Sequence, residues 1–224
     1  MIKIGSEVIK VGFSWRITDW FQDLDQSLVD CLFEYASILY NFNQSLNLVS
    51  RQTEKSLDQV HIADCLLAAQ TVLSEAPASE RIFDIGSGNG LPGIVLGILD
   101  RNREIVLVER DQRKADFLKI AISRLGLRNI RVLAGSVESL ERETIKCAVS
   151  RGFAALSLAL VKVRPLCASG CKYFHMKGEN WARELAQAPA QVFTHWNVEV
   201  RGSYELPGDG DHGPLFVVLS QLRK

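Results

Sequence analysis

The 224-residue chain reads as an α/β fold: a doubly wound, mostly parallel sheet of seven strands with an antiparallel pair at its C-terminal edge, preceded by an N-terminal helical cap. Three observations predict it. From residue 81 onward, short strand-like runs alternate with helical ones, the pattern of parallel strands joined by crossover helices. The last two runs are joined by a turn-rich segment without a helix, so they close the sheet as an antiparallel pair. Before residue 75, apolar residues recur at helical spacing.

The elements follow in order. From Ile17, the apolar positions Trp20, Leu24, Leu28, Leu32, Tyr35, Leu39 and Phe42 step by three and four residues, and Asp58 to Leu73 does the same. EAPASE (75–80) combines proline with small residues and marks a hinge. The cap therefore takes residues 1–76 and the main domain residues 77–224, packed as one unit. Strands are predicted at RIFDI (81–85), EIVLVE (104–109), IRVLAG (130–135), CAVS (147–150) and CKYFHM (171–176), with helices at 91–99, 111–125, 153–167 and 179–187. FTHWNVEV (193–200) and PLFVVLS (214–220), joined by LPGDGDHG, form the closing pair.

Composition is that of a soluble globular protein, 47% apolar and 23% charged. The start, MIKIGSEVIKVGF, has no continuous apolar run and no 18 apolar residues occur together, so neither export nor a membrane span is expected. Cys31, Cys65, Cys147, Cys167 and Cys171 form no C-x-x-C pair. They read as reduced, packed thiols of a cytoplasmic protein, with no metal site. The net charge of zero is unevenly placed: residues 101–131 hold 9 Lys and Arg against 4 Asp and Glu, residues 151–183 hold 6 against 1, and residues 1–80 hold 5 against 11. The basic blocks suit a polyanion partner.

FDIGSGNGLPG (83–93) carries the chemistry. After the strand RIFDI, Gly86, Gly88 and Gly90 form a turn into a helix beginning near Leu91, with Pro92 in a first-turn position where its missing N–H is no loss. Such a turn lets a ligand lie on the backbone. A dinucleotide and S-adenosylmethionine both use this geometry, but the G-x-G-x-x-G fingerprint fails at Leu91. Asp84 would repel a pyrophosphate and would pair, directly or through water, with the ammonium of a methionine moiety. Glu109, ending the second strand, is placed to take ribose hydroxyls. S-adenosylmethionine is the ligand these residues favour.

The stretches NLVS (47–50), VHIADCLLA (60–68), FDIGSGNGLPG, VER and KADFL (108–118), SVESL (136–140), VSRGFA (149–154) and MKGE (176–179) resemble the bacterial small-subunit ribosomal RNA guanine-N7 methyltransferase family, also called glucose-inhibited division protein B. The match runs in order over most of residues 46–180. H-x-x-D before the glycine loop, the intact G-L-P-G, and the later S-R and K-G-E give it specificity. The resemblance implies a Rossmann-like class I S-adenosylmethionine-dependent methyltransferase. Its substrate would be guanine 527 of 16S ribosomal RNA, within a small-subunit particle or assembly intermediate. It carries cofactor contacts onto Gly86, Leu91, Val137, Glu138 and Arg151. Cys65, where relatives usually have serine, and Glu109, where many have aspartate, depart from the pattern.

Guanine N7 already holds an in-plane lone pair and no proton, so attack on a sulfonium methyl needs no general base. Consistently, His61, His175, His195 and His212 are scattered and build no hydrolase triad or metal site by spacing. His61 and Asp64, one helical turn apart, read from spacing as structural, and the family likeness moves them to an active-site wall. Arg151 follows CAVS at the carboxyl end of a strand, where sheet ligands bind. Phe153 reads as core or as a base-stacking ring, and Lys177 as a solvated lysine or a donor to O6 or phosphate. Two other functions share these features: methylation of a protein or small molecule, and a non-catalytic cofactor-sensing RNA-binding module.

Overall fold

The computed structural model describes residues 2–4, 7–9, 12–210 and 212–223; Met1, Gly5, Ser6, Lys10, Val11, Asp211 and Lys224 lie outside the described residues. A short antiparallel pair, β1 (Ile2–Ile4) and β2 (Glu7–Ile9), opens the chain. The long amphipathic pattern from Ile17 is broken once, into α1 (Ile17–Trp20) and α2 (Gln26–Leu46). The break falls where Asp25 caps α2 by accepting the Ser27 N–H at 2.8 Å. A π-helical turn, Asp58–Ala63, then leads directly into α3 (Asp64–Glu75). That turn is pinned at its start. Arg16 grips the fully buried Asp58 through two hydrogen bonds of 2.8 and 3.0 Å, and Gln59 donates to the carbonyls of Pro207 and Asp209. π-Turns of this kind re-aim side chains at functional sites.

From residue 82 the chain runs β3 (Ile82–Ile85), α4 (Gly93–Leu99), β4 (Ile105–Glu109), α5 (Gln112–Arg124), β5 (Ile130–Ala134), β6 (Ile145–Arg151), α6 (Leu156–Val163), β7 (Cys167–Lys177), α7 (Trp181–Ala186), α8 (Ala190–His195), β8 (Trp196–Tyr204) and β9 (Leu215–Leu222). The seven-stranded sheet has the order β5-β4-β3-β6-β7-β9-β8. β5, β4, β3, β6 and β7 are parallel, and β9 runs antiparallel between β7 and β8. The expected class and edge pair are both present. Strand order reverses at β3 and β6, which pair through Phe83 with Ala148 and Asp84 with Val149. A crevice opens at the carboxyl ends of strands at such a switch point.

Alternation along the strands splits the core in two. Ile82, Ile105 and Leu107 pack with α2 to α5, joining Leu32, Leu39, Leu66, Leu96 and Phe117. Phe83, Ile85, Val106 and Val108 face the other way, toward Leu156, Leu160, Val192 and Trp196. Burial of both faces explains why these strands read as continuous apolar runs.

Several boundaries differ from expectation for local reasons. The helix expected over 153–167 is only Leu156–Val163: Gly152 has φ +68°, Ala155 is extended, and Pro165, lacking an N–H, sits in a 3₁₀ turn after it. Cys167 is therefore the first residue of β7, which is longer than CKYFHM and has Gly170 at φ +77°. Phe193 to His195 belong to α8, so β8 begins at Trp196. The first crossover helix starts at Gly93, with Pro92 as its cap.

Candidate active site: two pockets sharing one arginine

The glycine loop is hung on the neighbouring strand, since the Gly86 and Ser87 N–H groups both donate to the Val108 carbonyl at 3.0 Å. Gly86, Gly88 and Gly90 have φ of +70°, +54° and +90°, a region that L side chains rarely adopt. A Cβ on Gly86 would lie 2.5 Å from Cδ2 of Phe153, whose ring rests on the glycine. The Gly88 N–H donates to Glu109 Oε2 and the Asp111 N–H to Glu109 Oε1, both at 2.8 Å. Each carboxylate oxygen keeps a second lone pair for a hydroxyl.

Above this loop lies a cleft of about 630 Å³. Gly86, Gly88, Glu109, Val137, Glu138 and Arg151 line it, together with Phe153, Lys114 and Lys162. Val137 and Glu138 stand in a 3₁₀ turn after β5, and Glu138 pairs with Lys162 of α6 at 2.9 Å on the cleft wall. That pair with Lys162 is the main reason the Glu138 carboxyl titrates below its usual range.

Three expected cofactor residues lie elsewhere. Asp84 is absent from the cleft wall: it is fully buried under the loop, where Oδ2 accepts the Gly93 N–H at 3.0 Å and Oδ1 has no partner. The alternation of β3 turns its side chain to the α4 face, and burial pushes its pKa up to about 7. A Cβ on Gly90 would strike Ile94 and Leu118, so this glycine faces the core. Leu91 is 2% exposed, also beneath the loop. These three shape the loop from below.

A second pocket of about 340 Å³ adjoins the first, lined by His61, Asp64, Arg151 and Lys177 with apolar residues of the β7 end and the β8–β9 connection. Arg151 lines both. Its Nη1 donates to Asp64 Oδ2 at 3.0 Å and to the Val60 carbonyl at 3.4 Å, and its Nη2 donates to His61 Nδ1 at 3.1 Å. A guanidinium only donates, so His61 Nδ1 is the acceptor and the ring proton sits on Nε2, donating to Thr53 Oγ1 at 3.0 Å. Burial first, then Arg151, lowers the His61 pKa to about 3, which keeps the ring neutral. Lys177 Nζ donates to the Ala154 carbonyl at 2.9 Å and to Glu184 at 2.7 Å. It is held in place, not solvated.

Sequence reasoning missed Tyr204, whose hydroxyl donates to Asp64 Oδ1 at 2.8 Å from the end of β8. It also missed Lys114 and Lys162 in the cleft wall. Among the described residues, no group of three His, Cys, Asp or Glu side chains gathers as for a metal, all five cysteines are free, and no helix is long and apolar enough to cross a membrane.

This strand order, with a glycine loop and an acidic strand end framing a cleft at the switch point, defines a Rossmann-like fold of the class I methyltransferase type. The backbone is similar to a transfer-RNA methyltransferase of Aquifex aeolicus (TM-score 0.55, 13% identity, 74% of this chain and 70% of that one). It is also similar to an S-adenosylmethionine-dependent methyltransferase of the same organism (TM-score 0.54, 16% identity, 78% and 99%). Residues 29–203 match the model of the rRNA small subunit methyltransferase G family, and the chain belongs to that family. Relatives include ribosomal RNA small subunit methyltransferase G 3 of Bdellovibrio bacteriovorus, 36% identical over 86% of this chain and 87% of the relative. The enzyme of Chromohalobacter salexigens is 31% identical over 90% and 91%.

Proposed function

We propose that this chain methylates N7 of a single guanine of 16S ribosomal RNA, position 527 by its family resemblance, using S-adenosylmethionine, in the cytoplasm. The observation that carries the reading is the shared wall: Arg151 borders a cleft suited to the cofactor on one side and a pocket for an acceptor on the other. When bound, S-adenosylmethionine supplies an electrophilic methyl group.

The residues of the chain fit that ligand. Gly86 and Gly88 leave the backbone bare where the ligand lies, and Glu109 offers two lone pairs to ribose hydroxyls. Val137 and Glu138 line the same cleft and would contact the cofactor there. Asp84, Gly90 and Leu91 hold the loop in shape from below, and above its pKa of about 7 Asp84 would add negative charge beneath a cationic ligand. Arg151, fixed by Asp64 and His61, positions the acceptor against the cleft, with Lys177 beside it. Guanine N7 already carries a free lone pair and no proton, so the chain would need no general base, and Glu109, Arg151 and Lys177 would serve to hold and orient cofactor and acceptor. Positioning is then the protein's main contribution, and near-attack alignment supplies on the order of 7 kcal/mol or more in good cases.

N7 faces the deep, narrow major groove of A-form RNA, so the target guanine must be unpaired or flipped out. This favours a folded element of the small subunit over a regular duplex. Incubating the protein with methyl-labelled cofactor and unmodified small subunits should place label in the RNA. Label found in protein or small molecules instead would turn the reading to a different acceptor.

A further inference from the structure

The pocket beyond Arg151 has a polar character that follows from which hydrogen-bonding groups are already engaged. On the wall beside Arg151 the side-chain acceptors are taken: both Asp64 oxygens, by Arg151 and Tyr204, and His61 Nδ1, by Arg151; His212, from the β8–β9 connection, also lines the pocket and its ring can donate or accept. Asp64 is the one acidic side chain among the described residues lining it. Its donors are not exhausted. Lys177 Nζ spends two of three hydrogens, on Ala154 and Glu184. The Arg151 guanidinium makes three hydrogen bonds and keeps Nε–H and one Nη2 hydrogen. Val60, Met176, Leu206 and Leu215 supply apolar wall suited to the faces of a flat ring.

A donor-rich wall shared with the cofactor cleft selects an acceptor-rich edge. The guanine edge that bears N7 also bears O6, and both are acceptors, whereas adenine presents a donor, its 6-amino group, beside N7. We propose that this pocket binds a 6-oxopurine through O6, with Lys177 and Arg151 as the donors, and does not read the 2-amino group. The proposal rests on the methyltransferase reading for its biological substrate, and it deepens that reading by naming the atom recognised. N7 stays free to react because Lys177 and Arg151 engage O6. The 2-amino group goes unread because no unpaired carboxylate lines the pocket to accept from it; His212, which can donate or accept, is assigned a donor's role, and tighter binding of guanosine than of inosine monophosphate would show it accepting instead.

Gly178 lines this pocket, and an added Cβ there meets no atom within 4 Å, so Gly178→Trp obstructs the pocket without a clash at its own Cβ. The first arm titrates mononucleotides by NMR with the cofactor cleft saturated by S-adenosylhomocysteine. Guanosine and inosine monophosphates should bind alike, with adenosine monophosphate weaker by about tenfold or more, the effect of one well-made base contact. Gly178→Trp should weaken guanosine monophosphate by about tenfold while S-adenosylhomocysteine affinity changes less than about twofold. Lys177→Met should erase most of the preference over adenosine. Equal binding of adenosine and guanosine nucleotides by the wild type, or unchanged guanosine binding in the folded Trp variant, overturns the proposal.

The second arm uses small subunits reconstituted with a substituted target base. Inosine should be methylated at a rate within about tenfold of guanosine, and 2-aminopurine, which keeps N7 and the 2-amino group but lacks O6, should not. The reverse order overturns the proposal. A wild-type protein that methylates no subunit RNA at all overturns the functional reading instead, and the nucleotide titration still decides the pocket.

Discussion

At Gly86, a positive φ and the Phe153 ring act together: a side chain would be strained by its backbone and would strike the ring. Gly86→Val should therefore abolish measurable cofactor binding by calorimetry, a loss of about 100-fold or more. It should also lower Tm by roughly 2–8 °C, since the left-handed region costs about 1–2 kcal/mol for a branched residue in a domain of this size. Unchanged affinity in the folded variant would contradict the loop's role. Asp84 makes a second test. Its pKa in the folded state is about 7 against an ordinary 3.8, so the folded protein holds its proton more tightly than the unfolded chain does. The stability this contributes is full below about pH 4 and is lost as pH rises toward 7. Asp84→Asn, whose amide oxygen can still accept the Gly93 N–H, should be more stable than wild type at pH 8, by on the order of a few kcal/mol at most, and not at pH 4. It should also bind the cofactor more weakly, because the charge beneath the ligand is gone. Thermal melts with equal Tm differences at both pH values would show that burial of this carboxylate does not govern stability.

At the scale of elements, Arg151 ties three together: the π-turn and start of α3 through Val60, His61 and Asp64, its own strand β6, and β8 through Tyr204 on Asp64. Sequence reading placed Arg151 at a strand end, where β6 does finish. With 17% of its side chain exposed and three hydrogen bonds, it also holds the structure, and truncation to alanine would mix folding and function. Arg151→Lys is the cleaner change. It keeps the charge opposite Asp64 but has no planar fork to reach Asp64, Val60 and His61 together. Single-turnover transfer should fall about 10- to 100-fold from misplacement, and an unchanged rate would remove Arg151 from the site. The glycine turn, Glu109 and Arg151 were legible because each is local, a residue type at the end of its own strand. Tyr204 was not, since it meets Asp64 across 140 residues through the sheet order alone. Asp84 was half legible: alternation says it faces opposite to Phe83 and Ile85, but not which of the two faces carries the cleft.

Over the whole molecule, the basic blocks of the sequence come apart. A strand–helix–strand unit carries the chain from one end of the sheet to the other and back, so neighbouring basic residues are sent to opposite ends. Arg110, Lys114, Arg151 and Lys162 line the cleft. Arg103 is buried before β4, bonding Asp100 and the Pro77 carbonyl, and Arg131 pairs with Glu104 at the far end of the strands. With Arg151 committed to the acceptor pocket, RNA affinity should fall with salt along a log–log slope of about −1.5 to −2, as for the two or three phosphate contacts that Arg110, Lys114 and Lys162 offer single-stranded RNA. A slope steeper than about −8 would mean that both ends of the sheet meet phosphate. The fold class and the family were readable from order and motif, while the switch point and the charged face depended on where the crossovers carried each strand and residue. The central claim, methylation of one guanine at N7, has a direct chemical readout, because a methylated N7 makes the ring reducible and the glycosidic bond labile after reduction. Small-subunit RNA from cells with and without this protein is treated with borohydride and aniline and the breaks are mapped. A break at one guanine, position 527 by the family resemblance, present only with the protein, is the predicted result, and identical patterns in both samples would contradict it.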